Sequence, residues 1–294
     1  MSDYRFIGAA VGNCAGILGC QEAPAIIKNK LNLNAHWYKT IEFKGQARRF
    51  AALDSIANFS IELARTTGEL VRQNQTFITI GGDHSCAIGT WSGVFDAIGD
   101  FGLIWIDAHM DAHTPESSES GNIHGMPVAT LLGYGHEKLT RILHNTPKLK
   151  AENIILIGIR SYEEGEAELL KELGVTIFDI DAVHKLGFEA CFDHAVNQFK
   201  AKSLKYGISF DLDGLDPSEI DALGTPVEDG IALFEVLPCL NKIDVKDLVG
   251  LELTEYNPSL DSDDKGVEVI RKILYNLPQA SLQLNSDYCD EITD

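Results

Sequence analysis

Short apolar runs alternate with longer amphipathic stretches along most of this chain, and this alternation restricts the fold more than any other feature. The apolar runs are rich in β-branched and aromatic residues, and several are apolar on both faces, as strands covered by helices on both sides are. The stretches between them have helical periodicity. The pattern therefore predicts an α/β protein, because strand–helix alternation builds a parallel sheet. The predicted strands are 5–10, 40–43, 76–80, 101–106, 153–159, 175–180, 207–210 and 248–253, and the clearest predicted helices are 48–73, 165–173, 188–202 and 266–276.

The sequence has no internal repeat, low-complexity linker or clear boundary, so residues 1–294 are expected to form a single domain. At 294 residues the chain is long for one domain, but alternating α/β folds often reach this size. The loop 114–121 is the one stretch of Ser, Glu, Gly and Pro composition, and it is expected at the surface. The acidic tail after residue 285 is expected to be frayed.

The charge balance argues against two classes of partner, nucleic acids and anionic membranes. There are 24 Lys and Arg against 44 Asp and Glu, which gives a formal net charge of −20. Binding to nucleic acid or to an anionic membrane draws on clustered cations, so neither partner is expected. The acidic balance suits a small cationic substrate, although a need for solubility alone would explain it.

The cysteines and the absence of long apolar segments predict a cytoplasmic protein. The six cysteines are scattered without a C-x-x-C pair, which favours reduced, buried thiols over a disulfide framework. The amino terminus is polar and does not resemble a signal peptide. No run reaches the about 18 apolar residues that a membrane span needs.

Acids and histidines follow three of the predicted strands directly. The segments are Gly-Gly-Asp-His-Ser at 81–85, Asp-Ala-His-Met-Asp at 107–111 and Asp-Leu-Asp-Gly-Leu-Asp-Pro at 211–217. Asp107, His109 and Asp111 alternate along the chain, and extended backbone places such residues on one face. Asp211 and Asp213 repeat this spacing.

Carboxylates crowded at the ends of buried strands repel one another, unless their pKa values rise or cations bind among them. The nearby imidazoles favour cations, and four carboxylates with two histidines suffice for two divalent ions. This oxygen-rich set suits Mn²⁺, while Fe²⁺, Co²⁺ and Zn²⁺ remain open. Two close ions typically share a bridging hydroxide, which is a nucleophile at neutral pH. Any one segment alone would be explained as a helix cap or turn, but the three together favour a metal centre.

These segments resemble the three metal signatures of the ureohydrolases, the family of arginases, agmatinases and formimidoylglutamases. The resemblance extends from about residue 7 to residue 260. It implies a three-layer α/β/α sandwich around an eight-stranded parallel sheet, and a homo-oligomer, either trimer or hexamer. The metal ligands that it implies are His84, Asp107, His109, Asp111, Asp211 and Asp213.

The segment after residue 111 resembles arginases in particular. By this resemblance, His113, Ser120 and Asn122 lie where the loop receives the α-carboxylate of the amino acid, and His124 is placed to transfer protons. An imidazole suits that role because it exchanges a proton near neutral pH. Asp111 would orient the hydroxide.

Other positions resemble the family's residues for the α-amino and guanidinium groups of the substrate. Glu163 and Glu166 resemble the acids that read the α-amino group, although acids in a first helical turn are favoured in any case. Thr225 matches an active-site threonine, and Glu255 matches the carboxylate that holds the guanidinium. A carboxylate can pair bidentately with a planar guanidinium.

The resemblance implies hydrolysis of L-arginine to L-ornithine and urea, by attack of a metal-bridging hydroxide on the guanidinium carbon. His113 and Glu163 depart from the usual Asn and Asp, and 228–229 are larger than usual. An agmatinase or another guanidino- or formimino-acid ureohydrolase is therefore the alternative. There are two more remote alternatives: a deacetylase-like amide hydrolase with one zinc ion, and a non-catalytic relative.

Overall fold

Eight parallel strands form the central sheet of the computed structural model, which describes residues 4–278. The strands are β1 (Arg5–Ala10), β2 (Trp37–Glu42), β3 (Phe77–Gly81), β4 (Gly102–Ile106), β5 (Ile154–Ile159), β6 (Thr176–Asp179), β7 (Tyr206–Asp211) and β8 (Leu248–Thr254). Their order across the sheet is β2-β1-β3-β8-β7-β4-β5-β6. Every pair of neighbours is parallel, so the carboxyl ends of all eight strands lie at one edge.

Helices cover both faces of the sheet and enclose one apolar core on each side. The first core contains apolar residues of the helix at 23–30 and of the helices between residues 180 and 275, and the second contains those of the helices between residues 53 and 173. The arrangement confirms the predicted three-layer sandwich. The helices are α1 (Ala23–Lys30), α2 (Leu53–Arg72), α3 (Ala87–Ile98), α4 (Pro127–Leu131), α5 (Glu137–Thr140), α6 (Glu164–Leu173), α7 (Ile180–Leu186), α8 (Phe188–Ala201), α9 (Leu233–Asn241) and α10 (Lys265–Tyr275).

The predicted strands all match observed strands, with ends that differ by up to three residues. The largest difference is at β2, an edge strand whose half-exposed, polar amino-terminal part gave no apolar signal. The four clearest predicted helices are also confirmed, with the first starting as a 3-10 turn at Arg49–Ala52. Helical periodicity is not clear for α3, because its first eight residues are all buried and it lacks a polar stripe.

One glycine brings α3 close to the sheet. A Cβ at Gly207 on β7 would lie 2.1 Å from Cζ3 of Trp91, so only glycine admits this indole against the strand. The ring of Trp91 then reaches Glu252 on β8, where its Nε1 donates a hydrogen bond to Oε2 over 3.0 Å. This contact matters for the site at the end of the strands.

Within residues 4–278, five cysteines are buried and carry free thiols, as predicted. In the same part of the chain no helix combines the length and apolar character that a membrane crossing requires. The sixth cysteine, Cys289, and the predicted frayed tail after residue 285 lie outside the described residues.

Candidate metal centre and substrate cavity

Four neighbouring central strands supply the residues of the candidate centre. His84 follows β3, the segment 107–111 follows β4, Asp211 ends β7, and Glu255 follows β8. The strands β3, β8, β7 and β4 are adjacent in the sheet, so sequence segments more than 100 residues apart meet at its carboxyl edge. This is the edge at which open α/β sheets bind ligands.

The first cluster surrounds His84. Its Nδ1 lies 3.2 Å from Oδ2 of Asp107, 3.1 Å from Oδ2 of Asp111 and 3.0 Å from Oδ2 of Asp211. All four side chains are buried. One imidazole nitrogen and three carboxylate oxygens therefore converge on a single point.

A second cluster adjoins the first. The Nδ1 of His109 lies 3.4 Å from Oδ1 of Asp107 and 3.1 Å from Oδ2 of Asp213. Asp107 thus presents one oxygen to His84 and the other to His109. A carboxylate shared in this way is suited to bridging two cations, and the six residues predicted as ligands are all in these two clusters.

The hydrogen bonds behind His84 fix which of its nitrogens can bind a cation. Ser209 donates its hydroxyl hydrogen to Oε2 of Glu252 over 2.8 Å, so its oxygen accepts from Nε2 of His84, 3.0 Å away. The lone pair of His84 is then on Nδ1, which has no hydrogen-bond partner within residues 4–278. Oδ2 of Asp111 is likewise unpartnered there. Buried acceptors facing one another are satisfied by a cation, so the residues fit a metal.

Backbone groups and one indole orient the ligand carboxylates. His109 donates its backbone N–H to Oδ1 of Asp107 over 2.6 Å, and Trp105 donates Nε1–H to Oδ2 over 2.9 Å. Asp213 donates its backbone N–H to Oδ1 of Asp211 over 2.8 Å. These bonds hold the oxygens in place before any ligand arrives.

The crowding of acids is visible in their pKa values. Burial, together with the charge of Asp107, raises the pKa of Asp111 to about 6. Burial and the charges of Asp213 and Asp107 also raise the pKa of Asp211. A bound cation would favour the charged carboxylates and so oppose both shifts.

A cavity of about 200 Å³ opens above the two clusters. Its floor includes residues of both clusters, and its wall carries most of the residues predicted to bind substrate. Thr225 connects the wall of the cavity to its floor, because its Oγ1 donates a hydrogen bond to Oδ2 of Asp213 over 3.0 Å. The wall residues are His113, Ser120, Asn122, His124, Gly125, Ser161, Glu163, Glu166 and Thr225.

The two predicted amino-group acids form a capping box at the start of α6, and His113 contacts both of them. Nε2 of His113 lies 2.8 Å from Oε2 of Glu163 and 3.3 Å from Oε2 of Glu166. Glu163 donates its backbone N–H to Glu166 over 3.1 Å. His113, which departs from the usual Asn, therefore already contacts both carboxylates.

Glu255 lies beside the cavity and does not itself form part of the wall. It is buried, and its Oε1 accepts from the backbone N–H of His84 over 2.7 Å. The same oxygen lies 3.0 Å from Nδ1 of His124. Glu255 and His124 thus form a pair, with Nε2 of the histidine left for other contacts.

Comparison with known proteins agrees with this geometry. The family model described as Arginase family matches residues 2–278. The chain is 40% identical to an arginase of Brevibacillus brevis over 218 residues, which are 74% of this chain and 73% of the relative.

The chain belongs to the arginase family.

Solved arginases have the same fold. The arginase of Bacillus caldovelox superposes with a TM-score of 0.86 at 32% identity, over 94% of this chain and 98% of the other. The arginase of Entamoeba histolytica, solved in complex with L-ornithine, gives 0.85 at 29% identity over the same shares. Arginase-family members are metal-dependent hydrolases of guanidino compounds, so the chain is an arginase-type hydrolase, and its Asp and His clusters could bind metal.

Some residues that support this arginase-family site escaped the sequence analysis. Ser209 and Glu252 lie inside strands, and only the unusual acid within the apolar run of β8 was available as a signal. Asp83 accepts the backbone N–H of Cys14 over 2.9 Å and connects the first loop of the chain to the centre. Its partner is 69 residues away, so its role required the fold.

Proposed function

We propose that this protein is a manganese-dependent arginase that hydrolyses L-arginine to L-ornithine and urea. The observation that carries the proposal is the pair of ligand clusters that share Asp107 below a cavity with polar walls. The L-ornithine complex of the Entamoeba histolytica relative supports the choice of an amino acid. Iron, cobalt or zinc in place of manganese is the alternative for the metal.

The two clusters would hold two divalent ions. His84, Asp111 and Asp211 would bind one ion, His109 and Asp213 the other, and Asp107 would bridge them. When bound, such ions lower the pKa of water enough to supply a hydroxide nucleophile at neutral pH.

The residues of the chain would orient the substrate and supply a proton. Glu255 faces the centre with a carboxylate that suits a guanidinium. Burial opposes protonation of His124, but the charge of Glu255 and the hydrogen bond to it outweigh burial and raise the pKa of His124 to about 9. His124 would therefore carry the proton that the departing amine takes up.

At the outer end of the cavity, Ser120 and Asn122 offer hydroxyl and amide groups to the α-carboxylate. Glu163 and Glu166 would receive the α-ammonium.

A second candidate substrate follows from His113. Because its Nε2 already contacts Glu163 and Glu166, an α-ammonium has to compete with it for their oxygens. A guanidino acid without an α-amino group, such as 4-guanidinobutyrate, has no such competition. This observation favours it over agmatine, which keeps the amino group and lacks the carboxylate.

A substrate panel tests the proposal. The protein is loaded with Mn²⁺, Fe²⁺ or Zn²⁺ and supplied with arginine, agmatine, 4-guanidinobutyrate or formimidoylglutamate, and urea or formamide is measured. The highest kcat/KM is expected for arginine with Mn²⁺. A higher value for 4-guanidinobutyrate would replace arginine by the second candidate, and no turnover of any substrate would contradict the function.

The assembly and location belong to the same proposal and rest on the family resemblance. We expect one domain over residues 1–294, a cytoplasmic location and a trimer or hexamer.

A further inference from the structure

Arg160 makes an unusual set of contacts next to the metal centre. It follows β5, and its guanidinium donates hydrogen bonds of 2.8 to 3.2 Å to six backbone carbonyl oxygens. Within residues 4–278 it makes no ion pair with a carboxylate. The acceptors are the carbonyl groups of Gly158, Asp213, Gly214, Leu215, Val227 and Glu228.

These acceptors belong to the segments that carry site residues. The turn Leu212–Gly214 holds the ligand Asp213, and the segment 224–228 holds Thr225, which donates to that ligand. The backbone N–H of Arg160 also donates to Ala108 over 2.8 Å, between Asp107 and His109. One residue thus connects all the segments that build the second cluster.

The geometry of the Arg160 contacts matters as much as their number. Asp211 is the last residue of β7 and is held by the sheet, whereas Asp213 lies beyond the strand. Beyond the strand, its turn is held by the backbone N–H of Ile231, which donates to Gly214 over 3.1 Å, and by the guanidinium of Arg160. A guanidinium has five N–H groups in a rigid plane, so it holds more acceptors in a fixed geometry than an ammonium, whose three N–H groups rotate freely.

We propose that Arg160 is a positioning residue that fixes the turn of Asp213 and the segment of Thr225 against the ligands after β4. This inference rests on the proposed function in one respect, namely that the two clusters bind divalent ions. The consequence is selective: the cluster of His109 and Asp213 depends on Arg160, and the cluster around His84 depends on it much less.

Two variants test the proposal. Arg160→Lys keeps the charge but not the planar fork, and Arg160→Met keeps the length without the charge. The full-length proteins are stripped of metal, and Mn²⁺ binding is measured by calorimetry and by metal content. We expect one of the two Mn²⁺ ions to bind at least tenfold more weakly in both variants, while the affinity for the other ion changes less than threefold. Turnover at saturating Mn²⁺ should fall, with KM changing little.

Lys148→Met is the matched control. Lys148 is also a buried cation that donates to three backbone carbonyl groups, those of Thr140, His144 and Thr146, but it lies away from the metal centre. This variant should lower the melting temperature and leave both Mn²⁺ affinities unchanged.

The outcomes separate the two proposals. If the wild-type protein binds no Mn²⁺, the proposed function fails. If the wild type binds two ions and the Arg160 variants bind both with wild-type affinity, the role of Arg160 is refuted. Equal weakening of both ions, or unfolding of both variants even with Mn²⁺, would also refute it, because Arg160 would then support the fold as a whole.

Discussion

At the scale of single residues, the centre depends on which atoms of each side chain are already engaged. Nδ1 of His124 is paired with Glu255, and Nε2 of His84 is paired with Ser209. In both histidines one nitrogen is held by a neighbouring side chain, which fixes the ring and leaves the other nitrogen for chemistry. The two histidines differ in role because one faces three carboxylates and the other faces the cavity.

Replacing His124 should separate catalysis from metal binding. We expect His124→Asn to lower kcat by about 10²–10⁴-fold, the usual contribution of a general acid or base. The content of Mn²⁺ should stay unchanged, because His124 belongs to neither ligand cluster. Steady-state urea release and metal analysis of the same preparation measure the two effects.

His184→Asn serves as the control for this replacement. His184 is exposed on α7 and lies 3.9 Å from Asp229, outside the cavity wall, so its loss should change neither kcat nor metal content. Loss of metal from the His124 variant would show that this residue acts as a ligand or supports one.

At the scale of elements, the sequence predicts the ligands within one strand end but not the contacts between strands. The alternation of Asp107, His109 and Asp111 is visible in five residues, because extended backbone has a fixed period. The pairing of Ser209 with Glu252 joins residues 43 apart on two strands, and nothing local in the sequence specifies it. The contact of His113 with Glu163 likewise depends on a loop meeting α6.

The capping box of α6 should give the protein a measurable pH dependence. Burial, followed by the hydrogen bond with Glu163, raises the pKa of Glu166 to about 8. A carboxyl group whose pKa is raised on folding stabilises the fold fully below its unfolded pKa of about 4.5, and this contribution is lost as the pH rises through about 8.

Glu166→Gln should remove this loss, since glutamine is also accepted in a capping box. Both carboxyl oxygens of Glu166 accept backbone N–H groups, and glutamine keeps only one of these bonds, so the metal-free variant should be less stable than wild type at pH 4.5. Above pH 8 this difference in the free energy of unfolding should have moved in favour of the variant by on the order of 1–3 kcal/mol. Urea unfolding at several pH values measures the difference, and a constant difference at all pH values would contradict the assignment.

At the scale of the whole molecule, the metal centre joins parts of the chain that the sheet order brings together. The periodicity of the sequence predicted eight strands, but the insertion of β7 and β8 between β3 and β4 is a result of long-range packing. The predicted ligands therefore come from the ends of β3, β4 and β7, of which β7 is remote in sequence from the other two. A cation held by all three stabilises the assembled sheet edge and has no equivalent site in the unfolded chain.

Mn²⁺ should consequently raise the melting temperature of the metal-free protein. At a hundred times its dissociation constant, a ligand that binds only the folded state stabilises it by about 2.7 kcal/mol for each site. In a protein of this size the shift should be about 5 °C or more. Mg²⁺ at the same concentration should have a smaller effect, because imidazole ligands suit Mn²⁺ better.

Asp213→Ala should remove part of the Mn²⁺ shift and abolish urea release, because one cluster loses a ligand and the other keeps its own. Calorimetric melts with and without each ion measure these effects. If Asp213→Ala kept the full Mn²⁺ shift, Asp213 would not be a ligand, and the second cluster would not be a metal site.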